Sequence, residues 1–224
     1  MAFCSMTAIA AIRAYTDPKE YELIIIETGH PSISIKDYNN NLQLDKATHI
    51  IHSFEDDQGN SADMNEGAKL ATGDYLVFIE NDVFVPDNWL PNLRHYLDND
   101  LADVIIPNQI HDSWEKMQSH KTKSFEETMR PGIQDAGLMM IKKDIFEKAG
   151  GWDERFKKIY MWGVFEQRLK KITSKYFTTD KVFITHVPGS TYWWSVVNGK
   201  ESYRIAENNE GKIKKGLDEN TSQS

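Results

Sequence analysis

Ala71-Thr72-Gly73-Asp74-Tyr75-Leu76-Val77-Phe78-Ile79-Glu80-Asn81-Asp82 is the stretch on which the fold turns. Residues 75–79 (YLVFI) are continuously apolar, and five residues are too few for a helix. Such a run suits a strand buried on both faces, as in a parallel sheet. Gly73 is placed to stop a helix over 61–72, with Ser61 as its cap. The strand then runs into Glu80-Asn81-Asp82. In open α/β sheets ligands sit beyond the carboxyl ends of the strands. Carboxylates spaced i, i+2 on a strand end point the same way. Such a pair can hold a hard divalent cation, which in turn can bridge phosphates. Acidic turns after strands are common, so the motif needs its context.

Working outward, residues 5–15 read as a helix with Ala8, Ile9, Ile12 and Tyr15 on one face, ended by Asp17-Pro18. Residues 21–27 (YELIIIE) and 48–54 (THIIHSF) read as strands. A helix is expected over 87–97 and a strand over 103–106, followed by a polar, irregular stretch over 111–130. Further on come a strand at 136–141, a short helix at 144–148, a break at Gly150-Gly151, a helix at 162–172 and a strand at 177–186. Strands alternating with helices predict an α/β domain with a mainly parallel central sheet. One domain is expected over residues 1–205, with 206–224 as a polar, disordered tail.

Composition excludes several classes. The 224 residues are 40% hydrophobic and 27% charged, enough for a sizeable core and unlike a disordered chain. Cys4 is the only cysteine, so there is no disulfide framework. No apolar run approaches the roughly 18–20 residues that span a bilayer, and no secretory leader is visible. A cytoplasmic setting is expected, with any membrane association peripheral. Net charge is −8, divided as −13 over 1–112 and +5 over 113–224. The acidic front half disfavours nucleic acid as a partner. The basic rear half suits phosphates, anionic lipid or an acidic polymer, or is simply a set of solvated lysines. There is no P-loop and no G-x-G-x-x-G, which argues against kinases and dinucleotide enzymes.

Several motifs together resemble family 2 glycosyltransferases of the GT-A fold. Asn65-Glu66-Gly67, then Ala71-Thr72-Gly73-Asp74-Tyr75 and the strand ending in Glu80-Asn81-Asp82, are similar to that family's N-x-G, A-x-G-D-Y and D-x-D-like elements. Residues 21–29 resemble the segment that ends in V-D-N-G-S. Gly150-Gly151-Trp152-Asp153-Glu154-Arg155-Phe156 resembles G-G-F-D-E-x-F, and is followed by Trp162-Gly163, Glu166, Arg168 and His186. The matches keep the family's order over roughly residues 8–190.

The resemblance implies a metal-dependent, inverting transfer of a sugar from a nucleotide-diphosphate donor, UDP-linked by first expectation. The acceptor would be a hydroxyl on a glycan, a lipid-linked sugar or another polymer. It implies Asp82 and His186 as ligands of Mn²⁺ or Mg²⁺. Glu27, Asn65, Gly67, Glu80 and Asn81 fall at donor-binding positions. Trp162 and Trp193 are implied as an acceptor platform, flat faces suiting sugar C–H surfaces; core packing is the other reading. A base must take the acceptor's proton. The family's E-D pair is absent from 161–168, which leaves Glu166 as the candidate, Asp135 as runner-up and Asp153 third. The chain begins almost at the helix that follows the family's opening strand. Either the numbering starts late or the sheet lacks that strand. The second case leaves room for a non-catalytic relative that binds a nucleotide-sugar or glycan.

Overall fold

The computed structural model describes residues 2–28, 48–53, 59–110, 119–120, 122–133, 137–157, 160–187 and 209–215. Helix α1 (Ala2–Tyr15) leads into strand β1 (Leu23–Thr28), which pairs in parallel with β2 (Thr48–Ser53). Helix α2 (Asn60–Leu70) precedes β3 (Tyr75–Ile79), β4 (Val83–Phe84), α3 (Trp89–Asp98) and β5 (Val104–Gln109). A single 3-10 turn (Glu126–Thr128) and β6 (Met129–Pro131) follow. Then come β7 (Leu138–Lys142), α4 (Lys143–Lys148), α5 (Met161–Leu169) and the long β8 (Tyr176–His186).

The larger sheet has the order β3-β7-β5-β8-β4, with β6 also on β8. Among the described residues no strand joins it to the β1-β2 pair. Helix α2 lies on β1, where a Cβ on Gly67 would sit 3.7 Å from Ile26 and 3.8 Å from Ile24. The Glu22 carboxylate, just before β1, accepts from the Thr72 and Gly73 amides ahead of β3.

The α/β class is as expected, but the sheet is mixed rather than mainly parallel. Among the described residues parallel pairing is confined to β1-β2 and β5-β8; β7 is antiparallel to both β3 and β5. The cause is burial. Leu138, Met139, Met140 and Ile141 are all but inaccessible, with α3 and α4 both packed on their strand. A strand covered on both faces is continuously apolar whichever way it runs, so periodicity carries no sign of direction.

One core joins the sheet to α3 and α5. Its aromatic centre is Trp152, with its ring 5.5 Å from Phe78 edge-on, 4.6 Å from Phe165 and 5.1 Å from Trp162. Residues 209–215, within the stretch expected to be a tail, are helical. Glu210 is 3% exposed and accepts the Lys157 amide at 3.0 Å, while Lys214 lies over the Tyr160 ring.

Candidate metal and donor site

The end of β3 does not simply continue as a strand. The Val83 amide donates to the Glu80 carbonyl at 3.2 Å, closing a tight turn into β4. Two further bonds hold the turn: Glu80 N–H to the Gly137 carbonyl at 2.8 Å, and Val187 N–H to the Asp82 carbonyl at 3.1 Å. The ends of β3, β4, β7 and β8 therefore meet at one place. Glu80, Asp82 and His186 converge there, their ligand atoms all within 4.8 Å of one another. His186 Nε2 is 3.3 Å from Asp82 Oδ1 and 3.5 Å from Glu80 Oε2. Nδ1 on the other side of the ring meets the Gln109 amide nitrogen at 3.2 Å.

Electrostatics explain the cluster. Two carboxylates this close repel, and Asp82 is only 6% exposed. His186 relieves the repulsion as an imidazolium: its pKa rises to about 10, first through hydrogen bonding to Asp82 and then to Glu80, against the cost of burial. A divalent cation would supply the same compensation with more charge. Two carboxylate oxygens and one imidazole nitrogen form a normal ligand set for a first-row divalent ion. The donor set therefore fits the cation that the sequence implied.

Gly137 permits this packing. Its φ is +69°, and a Cβ there would lie 2.7 Å from Val83 Cγ2 and 3.2 Å from His186 Cε1. A side chain would push the imidazole off the start of β7. Neither Gly137 nor Gln109 was read as part of the site from sequence. The strand expected over 103–106 runs on past Pro107 to Gln109. A register shift between Pro107 and Asn108 accommodates the proline.

The other sequence-derived positions separate. Asn81 sits in the same turn, its amide 3.3 Å from Ser5 of α1. Glu27 lies on β1 in register with His52. Asn65 is engaged inside the fold: its amide donates to the Trp152 carbonyl and to Glu154 at 2.9 Å each, and its oxygen accepts the Trp152 amide at 2.8 Å. Gly67 lies against β1, as described above. Trp162 is 8% exposed and packs edge-on to Trp152. Asp153 is clamped by Arg155 at 2.6 Å and Arg168 at 2.7 Å, and its pKa is held down at about 2, chiefly by Arg155. Asp135 and Trp193 lie outside the described residues.

Glu166 is not brought to the cluster. It pairs with Lys170 at 3.5 Å, and its carboxylate is 3.8 Å from where a Cβ on Gly132 would be. The Gly132 amide bonds to the Tyr176 carbonyl, at the opposite end of β8 from His186. At about 3.3 Å per residue, the steps along β5 from Val104, opposite Tyr176, to Gln109, opposite Ile184, and on to His186 make that separation roughly 20–25 Å.

A mixed α/β sheet with an acidic turn and a histidine gathered at its strand ends is the arrangement of GT-A nucleotide-sugar transferases. The profile described as glycosyl transferase family 2 matches residues 7–172, and the chain belongs to that family. Among curated protein sequences, none matches it. Solved structures show the same fold at low identity. The crystal structure of GalNAc-T7 with UDP, GalNAc and Mn²⁺ superposes with a TM-score of 0.62 at 14% identity, covering 80% of this chain and 40% of that one. S. aureus TarS gives a TM-score of 0.60 at 12% identity, covering 84% of this chain and 35% of that one. TarS 1-349 in complex with UDP gives 0.59 at 11%, covering 84% and 58%. The chain thus spans between about a third and three-fifths of the length of these proteins.

Proposed function

We propose that the protein transfers a sugar from a nucleotide-diphosphate donor to an acceptor hydroxyl, with inversion and with a divalent cation at Glu80, Asp82 and His186. The convergence of these three side chains at the ends of β3 and β8 carries the reading. The imidazole ligand favours Mn²⁺ over Mg²⁺, which prefers an all-oxygen shell. UDP is the first donor nucleotide to try, since GalNAc-T7 and TarS 1-349 were each crystallised with it. When bound, the cation would neutralise charge growing on the departing diphosphate. Asp82 and His186 would hold it with Glu80 beside them, Glu80 and Asn81 are the candidate donor contacts in the turn, and Glu27 is the candidate contact to the nucleoside.

The base is assigned to Asp135 rather than Glu166. It must reach a hydroxyl poised at the anomeric carbon, close to the diphosphate. Asp135, the other candidate from the sequence, lies two residues before Gly137 in the chain. Glu166 stands at the far end of β8.

Thermal-shift measurements test the donor site, using UDP-, GDP-, dTDP- and CMP-sugars with and without Mn²⁺ or Mg²⁺. A ligand at about 100 times its Kd adds about 2.7 kcal/mol to the folded state. The expected result is a shift that needs both one nucleotide class and the cation. No shift with any pair overturns the donor-site reading and favours a relative that binds glycan without turnover.

A further inference from the structure

The His186 ring has two distinct faces of chemistry. Nε2 looks onto Glu80 and Asp82, and Nδ1 looks onto the Gln109 side-chain amide nitrogen 3.2 Å away. Gln109 is the last residue of β5, and β8 lies parallel to it with Gln109 opposite Ile184. The backbone ladder that joins these strands therefore fixes the amide beside the ring.

We infer that Gln109 is the positioning residue for the cation site: its amide oxygen accepts the Nδ1 proton of His186 and so keeps the Nε2 lone pair aimed at the cation. This rests on the metal-site reading above. An imidazole that binds a metal through Nε2 carries its remaining proton on Nδ1, and that proton needs an acceptor. In this structure the amide nitrogen is the atom that faces the ring, and a half-turn of the terminal torsion exchanges it for the oxygen with little change in shape. Only the oxygen is compatible with ligation through Nε2. The opposite arrangement, with the NH₂ donating to Nδ1, would put the ring proton on Nε2, between His186 and the carboxylates. Gln109 therefore selects the tautomer as well as the orientation. The absence of a side chain at Gly137 leaves room for the ring, since a Cβ there would lie 3.2 Å from Cε1 and 3.3 Å from Nε2.

The test is a titration of the full chain with Mn²⁺ alone and with Mn²⁺ plus UDP, following free Mn²⁺ by electron paramagnetic resonance. Outer-shell partners of metal-bound histidines typically change affinity by about 10–100-fold. Gln109→Leu keeps much of the volume and removes the acceptor, and is expected to weaken Mn²⁺ binding at least tenfold. Gln109→Glu keeps an acceptor in the same place and is expected to restore affinity to within a few-fold of wild type. A merely structural role for Gln109 would not separate the two variants in this way. Melting curves of the cation-free proteins establish that both variants are folded. Unchanged Mn²⁺ affinity in folded Gln109→Leu overturns the inference, as does a Gln109→Glu protein that binds no better than Gln109→Leu. Absence of Mn²⁺ binding by the wild-type chain, with and without UDP, overturns the metal-site reading itself. That outcome is distinct from the first two, in which wild type binds.

Discussion

Replacing Asn65 separates two roles that the N-x-G motif could have. The side chain makes three hydrogen bonds, two of them to the backbone N–H and C=O of Trp152. Trp152 is 2% exposed, so water does not readily replace those partners. Leaving a buried polar group unsatisfied costs about 1–3 kcal/mol. Two such groups, less some relaxation of the loop, put Asn65→Ala at about 3 kcal/mol of lost stability. For a chain of this size that lowers Tm by roughly 6–12 °C. Asn65→Asp is expected to be no better. Its second oxygen would face the Trp152 carbonyl and the Glu154 carboxylate, where the amide now donates. Urea unfolding followed by far-UV circular dichroism gives the stability, and calorimetric titration with UDP and Mn²⁺ gives donor affinity. The structural account requires a large loss of stability in both variants, with donor affinity little changed wherever the variant is folded. Stability within 1 kcal/mol of wild type, or a stable Asn65→Ala protein that has lost UDP, would refute it and return Asn65 to the donor pocket.

Three further outcomes are expected. Asp135→Asn should remove transfer while leaving Mn²⁺-dependent donor binding intact. Glu166→Gln should keep near-wild-type turnover and lose only the few tenths of a kcal/mol of an i,i+4 pair; the reverse pattern in a transfer assay would restore Glu166 as the base. Asp153 is held near pKa 2 in the folded protein, below its ordinary value of 3.8. Its contribution, at most about 2 kcal/mol, is present above pH 3.8 and lost as pH falls through 2. Asp153→Asn should therefore be less stable at neutral pH, with the gap to wild type closing between pH 4 and 2 in acid-unfolding curves. Gly67→Ala should stabilise the protein by about 0.5–1 kcal/mol in urea unfolding, because the added Cβ meets Ile24 and Ile26 at ordinary contact distance. A loss of stability would show that α2 cannot accept even a methyl against β1.

Much of this architecture was legible in the sequence because it rests on local signals. The strand at Tyr75–Ile79 was bounded to the residue by Gly73 and by the acidic turn. The β8 strand and α4 were located to within one residue by apolar runs and by the Gly150-Gly151 break. The pairing of Asp82 with His186 followed from motif order, which spacing alone could not supply. What escaped was non-local. Val83–Phe84 and Met129–Pro131 are too short to show a period, and both are strands only because β8 pairs with them. Strand direction in β7 is set by its neighbours and leaves no mark on an all-apolar segment. The placement of Glu166 depends on which face of α5 meets the core. Met161, Trp162, Phe165 and Leu169 claim that face and turn Glu166 toward Gly132 and Lys170. Asn65 and Gly67 stand in a family motif that implied donor contacts; the motif gave no sign that Asn65 bonds the Trp152 backbone or that Gly67 lies against β1.

The long β8 strand has a consequence for the order in which the protein assembles. Among the described residues it is the only strand that touches β4, β5 and β6, and its partners lie between about 50 and 100 residues earlier in the chain. Pairings so distant in sequence are slow to form. During synthesis from the N-terminus, β3, β5 and β7 emerge before the strand that ties β4, β5 and β6 together. His186 is the last residue of β8. The cluster at Glu80 and Asp82 therefore acquires its nitrogen only when that final strand has docked, and a nascent chain stopped short of residue 186 carries two facing carboxylates with no imidazole between them.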